Sequence, residues 1–105
     1  MRKIYISAPI SGYDYEERKL LFSNTEAILV RYGYTVANPM CNGLPATAST
    51  QEHLRADFKM LLECDAIVFL KGWERSAGCQ SEFHVANSTG MEMFFGLSKV
   101  PRISE

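Results

Sequence analysis

The sequence predicts a small doubly wound α/β domain, with a parallel sheet of four to five strands and helices on both faces. Two observations carry this. Short β-branched segments alternate with longer helical patterns, the order that right-handed crossovers fold into a parallel sheet. Ala66-Ile67-Val68-Phe69-Leu70 is a continuous apolar run, as a central strand requires when both of its faces are covered.

Each element follows from local pattern. Lys3-Ile4-Tyr5-Ile6-Ser7 alternates and is β-rich, so it is the first strand. Ala8-Pro9-Ile10-Ser11-Gly12 stops it. Asp14 with Glu17 three residues later resembles a capping box. The helix that follows places Leu21, Thr25, Ile28, Leu29 and Tyr32 on one face and ends at Gly33. Tyr34-Thr35-Val36-Ala37 reads as a second strand, closed by Asn38-Pro39. Met40 to Ala48, with Asn42-Gly43 and Pro45, reads as a loop. Ser49 with Glu52 is a second capping box, before a helix with Leu54, Phe58, Leu61 and Leu62 on its inner face. After the central strand, a loop from Lys71 to about Ser76 leads into a helix through Phe83, Val85 and Ala86, which stops near Gly90. Met91 to Leu97 is the last strand, and the tail from Ser98 carries no pattern. This is a flavodoxin-like or Rossmann-like order. In such sheets ligands bind beyond the carboxyl ends of the strands, which selects the loops Ser7–Gly12, Asn38–Leu44 and Lys71–Gly78.

At 105 residues the chain is one domain, 1–105. Apolar residues at 47% and charged residues at 22% argue against disorder. Eleven Lys and Arg against twelve Asp and Glu give a net charge of -1. That balance supplies no attraction to a nucleic acid polymer or an anionic membrane. No apolar run approaches the roughly 20 residues of a membrane span. The N-terminus enters a strand pattern without a signal peptide. Three cysteines, Cys41, Cys64 and Cys79, are an odd set without paired spacing; together these features predict a reduced, cytoplasmic setting. The apolar run Met93-Phe94-Phe95 on so small a domain predicts a homodimer or larger homo-oligomer.

Two carboxylates stand where packing alone would not put them. Asp57 lies between Leu54 and Leu61 on the apolar stripe of its helix, and Glu82 falls on the face of Val85 and Ala86. A buried carboxylate needs a partner, a raised pKa or a task. The small residues of Ser76-Ala77-Gly78-Cys79 at a helix start let a ligand approach backbone N–H groups, or serve simply as a turn with Ser76 as N-cap. Trp73 either stacks on a base or covers the sheet end. Cys79, near a helix start, is a weak candidate nucleophile. No CxxC, HxxxH or HExxH spacing occurs, so no metal is expected, and no cofactor is expected either.

Four blocks carry a resemblance. Tyr5-Ile6-Ser7-Ala8-Pro9-Ile10-Ser11-Gly12, Arg55-Ala56-Asp57, Cys64-Asp65-Ala66-Ile67-Val68-Phe69-Leu70, and Ser76-Ala77-Gly78 with Glu82 and Ala86 resemble the nucleoside 2-deoxyribosyltransferase superfamily. Within it the chain most resembles the short phage and bacterial proteins of the DUF4406 group, marked by Gly72-Trp73. The resemblance implies chemistry at the N-glycosidic bond of 2-deoxynucleosides or their 5′-monophosphates. It implies Glu82 as nucleophile on C1′, Asp57 as proton donor to the leaving base and Tyr5 as the residue that orients the nucleophile. Ser76 matches a phosphate-contacting Ser, whereas Ser11 stands where phosphate-using members carry Arg and Ala8 where Gly is usual. Ser7, Pro9, Gly12, Trp73, Ser76 and Gly78 are the residues expected to bind substrate. The expected function is deoxyribosyl transfer or hydrolysis on a small-molecule nucleoside or nucleotide. The alternative is a non-catalytic protein that binds or senses a nucleotide or nucleotide-sugar.

Overall fold

The computed structural model describes residues 2–103. Among them, strands β1 (Lys3–Ser7), β2 (Thr35–Ala37), β3 (Ala66–Phe69) and β4 (Glu92–Phe95) form one parallel sheet in the order β2-β1-β3-β4. Helices α1 (Tyr15–Arg31), α2 (Thr50–Leu62) and α3 (Ala77–Ser88) alternate with the strands. This is the predicted doubly wound α/β class, with four strands.

Strand alternation sorts the core into two layers. Ile4, Ile6, Ala66 and Val68 face α1, where they meet Phe22 and Leu29. Tyr5, Ile67 and Phe69 face the other way, toward Leu61 of α2 and Ala86 of α3. All of these side chains are buried. Fully burying a large apolar side chain stabilises the fold by roughly 1.5–3 kcal/mol, so the two layers hold the sheet from both sides.

The helix starts match their sequence signals. Asp14 accepts from the Glu17 N–H at 2.9 Å, while the Glu17 carboxylate itself bonds Arg18. At α2 the box is reciprocal: Ser49 Oγ accepts from Glu52 N–H at 3.1 Å, and Glu52 accepts from Ser49 N–H at 2.9 Å.

Three details differ from the sequence reading. On α1 the fully buried aromatic is Phe22, and Leu21 is only half-buried. Phe22, Thr25 and Leu29 keep the 3- and 4-residue spacing of one face, which lies one position beyond Leu21. On α2, Leu62 is 59% exposed, because one residue past Leu61 turns it about 100° off the inner stripe. The tail from Ser98 is part of the structure as far as Ile103, and Ser104 and Glu105 lie outside the described residues. A short 3₁₀ turn at Leu97–Lys99 leads to Val100, buried in the α1-side core. Tyr34 Oη donates to the Pro101 carbonyl at 2.9 Å, and the Ile103 N–H donates to the Tyr32 carbonyl at 2.8 Å.

The run Met93-Phe94-Phe95 is divided by alternation: Met93 packs on the α2/α3 layer and Phe94 on the α1 layer. Phe95 is 49% exposed and stacks on Phe69 at 5.3 Å. Among the described residues, no helix is long and apolar enough to cross a membrane.

Candidate active site

The direction of winding reverses between β1 and β3: α1 leaves one face of the sheet, and α2 and α3 lie on the other. The loops leaving these two strands therefore diverge and open a cleft at their carboxyl ends. Gly72 is where the second loop meets the first. Its φ of 91° lies in the left-handed region, and a Cβ there would sit 3.4 Å from Pro9 Cγ and 3.5 Å from Tyr13 Oη. Arg18 braces the first loop, with Nη1 donating to the Pro9 carbonyl at 3.3 Å and its guanidinium 4.3 Å over the Tyr13 ring.

Glu82 is delivered by α3. Ser76 caps that helix, Oγ accepting from the Cys79 N–H at 3.3 Å. Cys79, Glu82 and Ala86 then follow at 3- and 4-residue spacing and turn inward. Glu82 is only 6% exposed. Tyr5 and Ser7, two apart on β1, share the face toward it. Tyr5 Oη donates to Oε2 at 2.5 Å, and Ser7 Oγ donates to Oε1 at 2.7 Å. Both oxygens are thus held by donors while the group still reaches the cleft. Burial pushes the Glu82 carboxyl up to about 7, against the lowering effect of the Tyr5 and Ser7 bonds, with the Asp57 charge adding to the rise. Burial, then the Glu82 and Asp57 charges, push the Tyr5 phenol well above its ordinary value. Tyr5 therefore stays protonated and donates at any ordinary pH.

Asp57 is half-buried on α2. Burial raises its pKa, and the hydrogen bond from Asn42 opposes that rise. Asn42 Nδ2 is 2.9 Å from Asp57 Oδ1 and 3.0 Å from His53 Nδ1.

The cleft has a volume of about 630 Å³. All three sequence-selected loops reach its wall, and Pro9, Asp57, Ser76, Gly78 and Glu82 line it. Tyr5 and Ser7 lie beneath, bonded to Glu82. Two expected residues are elsewhere. Gly12 is exposed, has a φ of 85° and does not line the cleft. Trp73 stacks on Phe83 at 5.4 Å and lies 4.7 Å from Phe69, covering the sheet end in an aromatic cluster with Phe95. Cys79 lines the cleft, but burial pushes its thiol up, so it is held as thiol rather than thiolate. Asn42, His53, Tyr13, Tyr15 and Arg75 line the wall as well, and sequence reasoning chose none of them as site residues. Membership of the selected loops was the available signal for Asn42 and Arg75; Tyr13, Tyr15 and His53 carried none. Arg75 is the one Lys or Arg among the described lining residues. Among the described residues, no three His, Cys, Asp or Glu side chains gather in a metal-holding group.

A parallel sheet with a buried, donor-held carboxylate at its switch point defines a small doubly wound α/β protein with a cleft lined by Asp57 and Glu82. A family model described as a domain of unknown function, DUF4406, matches residues 2–95. The chain belongs to that family. No curated protein matches it.

Proposed function

We propose that the cleft acts on the N-glycosidic bond of 2-deoxynucleosides or their 5′-monophosphates, with Glu82 as nucleophile. The observation that supports this best is the state of Glu82. It is a carboxylate withdrawn from water, held at both oxygens by Tyr5 and Ser7, and in reach of a cleft that Asp57 also lines. The resemblance of its four sequence blocks to the nucleoside 2-deoxyribosyltransferase superfamily points the same way.

In this reading Glu82 attacks C1′ as the bond from C1′ to the base nitrogen breaks. The bonding pair leaves with the base, and Asp57 supplies the proton that neutralises it. A carboxylate at C1′ stabilises the oxocarbenium-like transition state and then bonds it covalently. Water or a second base resolves the glycosyl ester, and Asp57, now ionised, takes the proton from that nucleophile. Arg75 and the Ser76 end of the cleft offer a place for a 5′-phosphate. They do so in a chain that has Ser11 where phosphate-using relatives of the superfamily carry Arg.

A second reading is a nucleotide or nucleotide-sugar binder without turnover. One observation favours it: a carboxyl raised to about 7 spends part of its time neutral at neutral pH, and a neutral acid is a poor nucleophile. A panel of deoxynucleosides and deoxynucleoside monophosphates, assayed by chromatography for free base, separates the two. Release that disappears in Glu82→Ala supports the enzyme. Binding without release from any member replaces it with the binder.

A further inference from the structure

We infer that Asn42 is a positioning residue whose amide bridges His53 and Asp57, fixing His53 as a neutral imidazole with its proton on Nε2 and leaving Asp57 Oδ2 as the proton-carrying oxygen.

The inference begins with the orientation of the amide. The Leu44 backbone N–H lies 3.0 Å from Asn42 Oδ1. A backbone N–H can only donate, so the carbonyl side must face it and the NH₂ side must face away. That NH₂ meets Asp57 Oδ1 at 2.9 Å and His53 Nδ1 at 3.0 Å. It has two hydrogens and accepts nothing, so both hydrogens are used and His53 Nδ1 must be the acceptor. The proton of the neutral ring is then on Nε2. His53 and Asp57 are four apart on α2, one turn along the same face, which is why a single amide spans them.

Both side chains line the cleft. Asn42 therefore sets two groups side by side on the leaving-group wall: the Nε2–H of His53 and the free oxygen of Asp57, which donates when it carries the proton. That pair suits a leaving base with an acceptor next to the nitrogen being protonated. As Asp57 gives up its proton, the bond from Asn42 becomes charge-assisted and strengthens, so it acts more on the transition state than on the bound substrate. The tautomer rests on geometry alone; its use in bond cleavage rests on the glycosidic reading above.

The test uses the whole nitrogen-labelled protein without substrate. Long-range proton–nitrogen correlation spectra at neutral pH report which ring nitrogen carries the proton, with the exposed His84 as an internal reference. The expected result for His53 is a single Nε2–H pattern. Asn42→Asp replaces two hydrogens with lone pairs at constant shape, so the His53 proton should move to Nδ1. Asn42→Ala, which adds no charge, should give a mixture of tautomers. A wild-type ring protonated on Nδ1, or an unchanged Nε2–H pattern in either variant, overturns the inference. In the base-release assay, Asn42→Ala should lower kcat about ten- to hundredfold, with KM little changed; an unchanged kcat removes the positioning role. A wild type with the expected spectrum and no base release supports the tautomer assignment and instead removes the proposed function.

Discussion

Tyr5 and Glu82, 77 positions apart, meet at 2.5 Å beneath the cleft, and the phenol is the donor. The bond has two effects. It satisfies a buried carboxyl oxygen, and it counters part of the rise that burial imposes on Glu82. Tyr5→Phe removes both while keeping the ring. The expected outcome is a loss of about 1–3 kcal/mol in urea denaturation. Glu82 should also titrate above its wild-type value of about 7, as followed by carboxyl NMR.

The same carboxyl makes stability depend on pH. Glu82 holds its proton up to about 7 in the fold, against an ordinary value of 4.5. Between those values the native state binds more protons than the unfolded chain, so raising the pH favours unfolding. The contribution is complete below 4.5 and is lost as pH climbs through about 7, a loss on the order of 3 kcal/mol. Asp57, also raised, acts in the same direction. Denaturation midpoints measured across this window should fall in the wild type, and Glu82→Gln should flatten the slope.

Turnover should respond to that ionisation with the opposite sign. Attack on C1′ needs the carboxylate, so kcat/KM for base release should rise as pH passes about 7. A rate that is flat through this range removes Glu82 ionisation from the rate law.

Asp57→Asn keeps the shape of the side chain but carries no transferable proton. The loss in kcat should be of the order of a general acid contribution, about 100- to 10,000-fold. It should be smallest for bases that leave readily without protonation, so activated nucleosides with good leaving groups should recover most of the rate.

Gly72→Ala tests the place where the two loops meet. The φ of 91° lies in the left-handed region and strains any side chain there, while the nearest atoms, Pro9 Cγ at 3.4 Å and Tyr13 Oη at 3.5 Å, would be in ordinary contact with a Cβ. A destabilisation of roughly 1–2 kcal/mol is expected for a non-glycine residue in this region. Ligand affinity should fall as well, because Gly72 itself lines the cleft.

The sheet, the three loops and the inward stripe of α3 were legible because periodicity and crossover handedness are local rules. Glu82 and Asp57 stood out because a carboxylate on an apolar stripe breaks the pattern that surrounds it. Asn42 was not legible for the converse reason. Asn42-Gly43 is a common turn signal, and a turn accounts for the residue without its side chain. Its contacts with His53 and Asp57 arise only when the loop folds back on α2. Trp73 was ambiguous for a similar reason. An aromatic in a loop reads as a binding platform until Phe69, Phe83 and Phe95 are seen to surround it.

The path of the last residues has a practical consequence. Ile103 is bonded to Tyr32, just past the end of α1 where the chain turns back toward β2. In a parallel sheet that turn lies at the amino edge, whereas the cleft opens at the carboxyl edge. Ile103 thus lies on the side of the molecule remote from the cleft, and a tether attached there stands clear of it. Protein immobilised on a sensor surface through that position should present an unobstructed cleft to ligands in solution. An attachment at Tyr13 or Tyr15 would stand in its mouth.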